Sequence, residues 1–547
     1  MVPSSFTIIG GGLAGTTMLY QFSQMLRAKA LKNVLNPKGI YIQVIERQTV
    51  FGPGFPHNQS YMMPFHLINM CASDMGIVSG DPNDFETWVR NHPDRLSDPL
   101  PEDTPVCRHY PRTVMGAYLS ARFQDAVRTA RAMGITMDLY PNHEATDLVE
   151  TKDMVEITLK DLQSGRVFRL NSHRVLLATG HWRRKTDKTS ILFSPWPATT
   201  LQRKIPAGAD VAVLGTSLTA VDTVLTLAAD GTFGQSPSGR LTYHPPEYPK
   251  RITLYSRTGR LPTVRGRIGP YQNRFMVPQR IHALLDPKGR LALQDLFELL
   301  NAELFEAYGK PFDWETVVHP RGTVQEQLEH NILLAEKGDG PYGDIRWQTV
   351  IQQMFPMVRR IYLSLSKHER ARFDQTYNTL FFIHAAPMPL VNAQKLLALM
   401  NVGIVSVVPL AGPFRPESDL TSEGLTLLYR APDAKVKRAF HPYGVDARGQ
   451  DRFYDKNPDP LAKRLLNSGT VEIEPANSKG AGSGSLWVDP RTHRVKRRVR
   501  DKTVHRSECI YAVGAMTRGQ IIDASMAYGS AISTGTIAQD WIRQIGG

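Results

Sequence analysis

The 547-residue sequence contains little cysteine and lacks any long apolar run. Its three cysteines, Cys71, Cys107 and Cys509, are widely spaced and form no C-x-x-C pair. This pattern argues against a disulfide framework and against a zinc or iron–sulfur site, and we expect small, buried apolar cysteines. No stretch approaches the ~18–20 apolar residues that cross a bilayer, and the first residues lack the basic start of a signal peptide. We therefore expect a cytoplasmic protein without a membrane span.

Acidic residues are outnumbered by basic ones, which gives a formal net charge of +14. Most basic residues are dispersed, and the densest run, residues 491–500, follows a flexible Gly/Ser-rich segment at 477–485. We interpret this run as a solvated loop or an edge strand, on a basic surface that attracts anionic small molecules. No RNA-binding module and no alternation of aromatic and basic residues is present, so a nucleic-acid partner is not expected.

A glycine-rich turn opens the chain between a short apolar run, Phe6–Ile9, and a stretch with helical spacing of apolar residues. Strand, glycine turn and helix in this order predict a dinucleotide-binding fold. A glycine at 10 permits the tight turn, one at 12 lets a pyrophosphate approach the backbone, and one at 15 lets the helix pack on the strand. The predicted cofactor contacts of this turn are Gly10, Gly11, Gly12, Leu13, Ala14 and Gly15.

A second predicted strand, Ile40–Ile45, ends on an acidic residue. A carboxylate at this strand tip is placed to accept hydrogen bonds from a ribose. We therefore predict that Glu46, with the neighbouring Arg47, contacts the cofactor.

Several motifs that follow occur in a characteristic order. A Gly/Pro loop, residues 51–57, precedes the stretches His-Leu-Ile-Asn-Met at 66–70 and Asp-Phe-Glu-Thr-Trp-Val at 84–89. Pro-Arg at 111–112 and Gly-Ala-Tyr-Leu at 116–119 come next. This series resembles the FAD/NAD(P)-binding family of bacterial flavoproteins, relatives of the lysine and ornithine N-monooxygenases. The resemblance implies bound FAD, with Gly54, Asn69 and Arg112 near the flavin.

Two further segments end in small residues, as strands beside a cofactor do. Strands that include residues 138–140 and 155–159 predict a small β-meander. It leads into an apolar strand that ends on Ala178, Thr179 and Gly180. The strand at 508–513 ends on Gly514, and related flavoproteins place such a C-terminal segment near the flavin ring.

A second glycine turn follows the apolar strand Asp210–Leu214. Its Gly215, Thr216 and Ser217 form a relaxed G-x-S-x-x-A version of the motif. After a Pro/Gly/Ser-rich loop at 231–249, the next strand ends on Ser256 and Arg257, where an NAD-selective fold would carry an acid. A hydroxyl and a guanidinium suit a 2′-phosphate, so we predict NADPH in preference to NADH.

The sequence therefore predicts an α/β protein with two Rossmann-like dinucleotide-binding domains, a helical insertion and the β-meander. We expect an FAD domain at 1–204 and an NAD(P) domain at 205–412, the latter with helices at about 264–375 and a strand at 380–384. Residues 413–470 read as irregular, within a segment 413–547 that returns to the FAD domain.

The expected function is an FAD-dependent, NADPH-using oxidoreductase, monooxygenase-like, that acts on a small substrate. The relatives suggest an amine. A reductase or dehydrogenase that hands electrons to another acceptor without oxygen insertion is the alternative, and a flavin-binding RNA-associated protein is a third. No catalytic pair or metal cluster stands out; His57 and His384 are the candidate acid–base residues because histidine titrates near neutrality. Oligomeric state is left open.

Overall fold

The computed structural model describes residues 4–96, 107–181, 191–415, 419–431, 433–449, 454–456, 459–475, 483–499 and 503–545. Most of the Gly/Ser-rich segment 477–485 and the last residue of the basic run, Arg500, lie outside these ranges. Within them, no helix is both long and apolar enough to cross a membrane.

Strands and helices alternate along most of the chain. The strands are β1 Ser5–Ile9, β2 Tyr41–Glu46, β3 Thr136–Pro141, β4 His143–Glu150, β5 Val155–Asp161, β6 Val167–Ser172, β7 Arg174–Leu177, β8 Leu192–Phe193, β9 Asp210–Leu214, β10 Thr232–Gln235, β11 Leu241–His244, β12 Arg251–Ser256, β13 Val405–Pro409, β14 Leu425–Arg430, β15 Val436–His441, β16 Tyr443–Asp446, β17 Arg494–Arg498 and β18 Val504–Ala512. The helices are α1 Leu13–Leu31, α2 Asp84–Arg90, α3 Arg112–Ala132, α4 Ala198–Lys204, α5 Leu218–Leu227, α6 Pro278–Ala283, α7 Leu293–Tyr308, α8 Trp314–Val318, α9 Val324–Lys337, α10 Arg346–Ser364, α11 Lys367–Arg372, α12 Asn378–Ala385, α13 Leu390–Asn401, α14 Pro460–Asn467 and α15 Ala527–Ile545.

The first sheet has six strands in the order β17-β18-β7-β1-β2-β3, and all its pairs are parallel except β17–β18. Both faces are covered, as parallel sheets require. On one face, Phe6 packs with Phe22 of α1 and Trp541 of α15. On the other face, Ile9 packs against the three-stranded antiparallel sheet β4-β5-β6. The predicted meander is present, but residues 138–140 belong to β3 of the parallel sheet, because β3 pairs with β2 rather than β4.

The second sheet has five parallel strands in the order β13-β12-β9-β16-β8. Two of its strands, β8 and β16, lie outside the predicted range 205–412. The expectation that 413–470 is irregular is therefore wrong: β16 pairs with the central strand β9, and β14 and β15 form a hairpin. The Pro/Gly/Ser-rich loop at 231–249 also contains a hairpin, formed by β10 and β11.

Helices α6 to α12 occupy most of the region between β12 and α13, as the helical spacing predicts. The strand expected at 380–384 is wrong, since these residues lie in α12. Their run of apolar side chains suits a helix here because Phe381 and Phe382 pack against a cluster formed by α7 and α10.

The basic run forms β17, an edge strand of the first sheet. Several of its arginines are paired with acids: Arg494 contacts Glu508 and Asp540, and Arg497 contacts Glu150 at 3.0 Å. Ion pairing within the fold therefore neutralises part of this charge.

The cysteines also differ from expectation. Cys71 and Cys107 form a disulfide, with their Cα atoms 4.9 Å apart, whereas Cys509 is a buried free thiol. The two cysteines are 36 residues apart in the sequence, so the pair could not be predicted from a local pattern; only the fold brings the two segments together.

Candidate functional site

A cavity of about 820 Å³ extends between the two sheets. Its volume is within the range of small-molecule and cofactor sites. One part of its wall comes from the carboxyl ends of β1 and β2, and another from Ser217 and Leu218 after β9 and from the helical region. The lining residues named among the sequence predictions are Gly10, Gly12, Leu13, Ala14, Glu46, Arg47, Gly54, His57, Asn69, Arg112, Ala178, Thr179, Gly180, Ser217 and Gly514.

The first glycine turn leaves no space for side chains. Gly10 has φ of +106°, a conformation that favours glycine. A Cβ on Gly15 would stand 1.9 Å from the carbonyl oxygen of Gly10, so the helix rests directly on the turn. A Cβ on Gly12 would come within 3.0 Å of Gly54 Cα, which shows how closely the Gly/Pro loop faces the turn. The N-terminus of α1 thus presents bare backbone to the cavity, as a pyrophosphate requires.

Glu46 holds the tip of β2 to the glycine turn. Its Oε2 accepts a hydrogen bond of 2.7 Å from the Gly11 amide, and its Oε1 accepts one of 3.0 Å from Gln48. Burial raises the pKa of this carboxyl, and the two amides act against that rise. Glu46 lines the cavity, where a ribose would meet it. The adjacent Arg47 contacts Glu144 at 3.3 Å and also Asp459.

His57 and Arg112 bring unsatisfied polar atoms to the predicted flavin region. Among the described residues, neither His57 Nδ1 nor Arg112 Nε has a hydrogen-bond partner, although both atoms are buried. Burial, and secondarily the charge of Arg112, lowers the pKa of His57 to about 3, so its imidazole is neutral at physiological pH. Buried polar atoms of this kind need a partner, and a bound cofactor with polar ring atoms would supply one. The residues present therefore fit FAD.

The second turn shares the geometry of the first. Gly215 has φ of +121°, and its amide donates to the Tyr255 carbonyl at 2.7 Å. Thr216 Oγ1 donates to Ser256 Oγ at 3.1 Å, so the end of β12 lies beside the turn. Arg257 is exposed there, with a 3.4 Å hydrogen bond to Thr379 Oγ1. Gly215, Thr216, Ser256 and Arg257 are not among the cavity-lining residues, whereas Ser217 is.

His384 lies apart from the other candidates. It packs edge-on against Trp347, with 5.3 Å between ring centres, and does not line the cavity, although Ala385 does. Burial lowers its pKa to about 4. Its Nε2 is buried and, among the described residues, has no hydrogen-bond partner.

The cavity-lining residues that the sequence did not predict include Asp74, Arg265 and Gln352, which contact one another. Gln352 of α10 donates to Asp74 Oδ2 at 2.8 Å, and Arg265 Nη1 donates to Gln352 Oε1 at 3.4 Å. Arg265 is buried, and within the described chain its Nε has no partner. Burial lowers the pKa of Arg265 to about 10, and Asp74 acts against that fall. The three residues belong to distant segments, so no local signal marks them.

Comparison with known proteins defines the class. Residues 7–182 match the family model described as FAD-NAD(P)-binding. This segment contains the first glycine turn, Glu46, the Gly/Pro loop and Ala178–Gly180. Residues 7–182 are therefore an FAD/NAD(P)-binding domain, and the sequence-based expectation of these cofactors is confirmed at that level.

Individual proteins are similar to this chain over most of its length. It is 25% identical over 499 residues to the uncharacterized protein YdhS of Escherichia coli strain K12, which covers 84% of this chain and 86% of that protein. The reduced ornithine hydroxylase of Pseudomonas aeruginosa has the same fold, with a TM-score of 0.50, 10% identity and 99% of each chain covered. The L-lysine 6-monooxygenase of Pseudomonas syringae gives a TM-score of 0.48 at 14% identity over 99% of each chain. The predicted α/β fold with two nucleotide-binding folds is confirmed.

Proposed function

We propose that this protein is a cytoplasmic, NADPH-dependent FAD oxidoreductase that hydroxylates a small amine. The overall change is NADPH + H⁺ + O₂ + amine → NADP⁺ + hydroxylamine + water. The observation that carries the proposal is the shared cavity, since Gly12 of the first turn and Ser217 of the second line the same space. Nucleotides held at the two turns would meet there.

FAD, when bound, supplies the transfer of two electrons from the nicotinamide to an acceptor. The chain binds and orients the reactants. Gly10–Gly15 would hold the pyrophosphate and Glu46 a ribose, while His57 Nδ1 and Arg112 Nε, both buried, would face the flavin. Because the pKa of His57 is depressed, it would hydrogen-bond as a neutral imidazole.

The substrate end of the cavity supports an amine. The Asp74 carboxylate, held by Gln352, offers an acceptor to an ammonium group, and the buried Arg265 offers donors to an anionic group nearby. Charge-assisted hydrogen bonds of this kind are the stronger ones in proteins. A small molecule that carries both charges would match both residues.

Product balance tests the proposal. Putrescine, cadaverine, L-ornithine and L-lysine are to be screened while NADPH, oxygen and hydrogen peroxide are followed together. We expect one amine to stimulate NADPH oxidation and to suppress peroxide release as hydroxylamine forms. Peroxide released mole for mole with NADPH in the presence of every amine would favour the reductase alternative. RNA binding with a steep salt dependence and no NADPH oxidation would favour the RNA-associated alternative.

The Asp74→Asn variant provides the site-specific test. Loss of a charged acceptor costs about 1.5–3 kcal/mol, so the KM for the amine should rise roughly tenfold or more. Asp94→Asn, at an exposed surface position paired with Arg95, is the matched control and should leave the KM unchanged.

A further inference from the structure

The Cys71–Cys107 disulfide belongs to the wall of the cofactor cavity. Cys71 is buried and lines the cavity, directly after Asn69 and Met70 and three residues before Asp74. Cys107 is half-buried. In the cytoplasm that we propose for this protein, disulfides are usually transient and catalytic or redox-sensing rather than structural.

The backbone around the pair is held together without the sulfur bond. The Ile68 amide donates to the Tyr110 carbonyl, and the Ala72 amide donates to the Arg108 carbonyl, each at 2.9 Å. Ile68, Ala72 and Tyr110 are also buried together in one apolar cluster. Opening of the disulfide would therefore leave its two segments side by side, ready to close again.

His109 gives Cys107 a hydrogen-bond acceptor. Its Nδ1 lies 3.0 Å from the Ile68 carbonyl oxygen, which can only accept, so Nδ1 carries the proton and Nε2 the lone pair. Nε2 lies 3.3 Å from Cys107 Sγ. Burial, and secondarily the charge of Arg265, lowers the pKa of His109 to about 4, so the imidazole is neutral and free to accept.

We propose that Cys71–Cys107 is a redox-active disulfide that takes two electrons from the reduced flavin. Two electrons and one proton leave the anionic reduced flavin, and the S–S bond breaks. The products are oxidised flavin, a Cys71 thiolate on the cavity wall and a Cys107 thiol that donates to His109 Nε2. Arg265 lines the same cavity as Cys71, and a cation close to a thiol favours its thiolate.

This inference rests on one part of the proposed function, the transfer of electrons from NADPH to FAD. It does not depend on the reaction with oxygen or with an amine. A dithiol beside the flavin would give the protein a second two-electron carrier.

The test counts electrons and thiols in the FAD-loaded protein under anaerobic conditions. NADPH is added stepwise while the flavin absorbance is followed, and free thiols are alkylated after denaturation and counted by mass. The chain has three cysteines, of which two are bonded, so we expect one thiol before reduction and three after it. Full reduction should take two equivalents of NADPH per flavin. The proposal would be overturned if the flavin bleaches while the number of free thiols stays at one. It would also be overturned if the air-oxidised protein already has three free thiols.

Variants separate the pair from the rest of the protein. Cys71→Ser and Cys107→Ser should each bleach with one equivalent of NADPH. Cys509→Ser, the matched control, should still take two equivalents and show zero thiols before and two after. If NADPH fails to bleach the flavin, the proposed function is wrong. The flavin of the same sample is then reduced photochemically and the thiols are counted again: three thiols support the redox-active disulfide, and one thiol contradicts it.

His109→Gln tests the hydrogen-bond acceptor of Cys107 separately. Nε2 accepts from the Cys107 thiol as that thiol forms, so its loss should slow the second two-electron phase, the reduction of the disulfide, while the first keeps its rate. Equal rates of the second phase in variant and wild type would remove His109 from the proposal, and the thiol count would still decide the pair.

Discussion

Arg112, the first residue of α3, donates a hydrogen bond of 3.1 Å to Asp222 of α5 and so joins the two nucleotide-binding folds through a largely buried ion pair. The Asp222 side chain is only 4% exposed. Because Arg112 also lines the cavity, the position of the predicted flavin region is tied to the second fold.

Loss of either partner should leave an uncompensated buried charge. We expect Arg112→Gln and Asp222→Asn each to lower the free energy of unfolding by about 3–5 kcal/mol. The double variant should lose clearly less than the sum of the two. Denaturant unfolding of the four proteins measures this coupling, and strictly additive losses would show that the pair does not join the folds.

Gly15 has no room for a methyl group. Gly15→Ala would force the helix off the turn, at a cost of about 1–3 kcal/mol, because the added Cβ would overlap the Gly10 carbonyl. We expect lower thermal stability together with reduced flavin content of the purified protein. Gly412→Ala, at a position with open space and no positive φ, is the control. Normal flavin content and stability in Gly15→Ala would contradict the predicted role of the turn.

Arg257 is exposed at the end of β12, close to the second turn. If it binds the 2′-phosphate, Arg257→Ala removes a charge-assisted contact worth about 1.5–3 kcal/mol. The ratio of kcat/KM for NADPH to that for NADH should fall about ten- to hundredfold. Arg251→Ala, at the exposed start of the same strand, should leave the ratio unchanged. An unchanged ratio in Arg257→Ala would remove the assignment.

His384 should affect stability rather than catalysis. Its folded pKa of about 4 lies below the ordinary 6.5, so the unfolded chain binds more protons as the pH falls from 6.5 to 4. Stability is therefore lost over this window, with a slope of about 1.4 kcal/mol per pH unit from this residue. His384→Gln should remove that part of the slope, and NADPH oxidation at pH 7.5 should persist. His505→Gln, at an exposed site, should keep the slope. A variant with the wild-type slope, or without activity, would contradict this.

Local patterns predicted much of the fold. The two glycine turns, Glu46 and the strand that ends on Gly180 are all specified by neighbouring residues, because a turn and its adjoining strand and helix form one short segment. The strand that ends near Gly514 was found for the same reason. These features define the nucleotide-binding half of the site.

Long-range pairing accounts for the errors. Residues 443–446 become a strand because β9 offers an open edge, which their own sequence does not reveal. The apolar run at 380–384 fits strand and helix equally well until its packing partners are known. Asp74, Arg265 and Gln352 come from three segments that meet only in the folded protein, so this end of the cavity could not be predicted.

Anaerobic mixing of the FAD-loaded protein with NADPH is the most direct test of the central claim, that the two turns bring a nicotinamide and a flavin together in one cavity. The account predicts rapid loss of the visible flavin absorbance. It also predicts that Gly215→Val, whose side chain would meet the Ala447 carbonyl, abolishes this reduction while FAD stays bound. Two results would contradict this claim. One is a wild-type flavin that stays oxidised with saturating NADPH and NADH; the other is a Gly215→Val variant whose flavin is reduced at the wild-type rate.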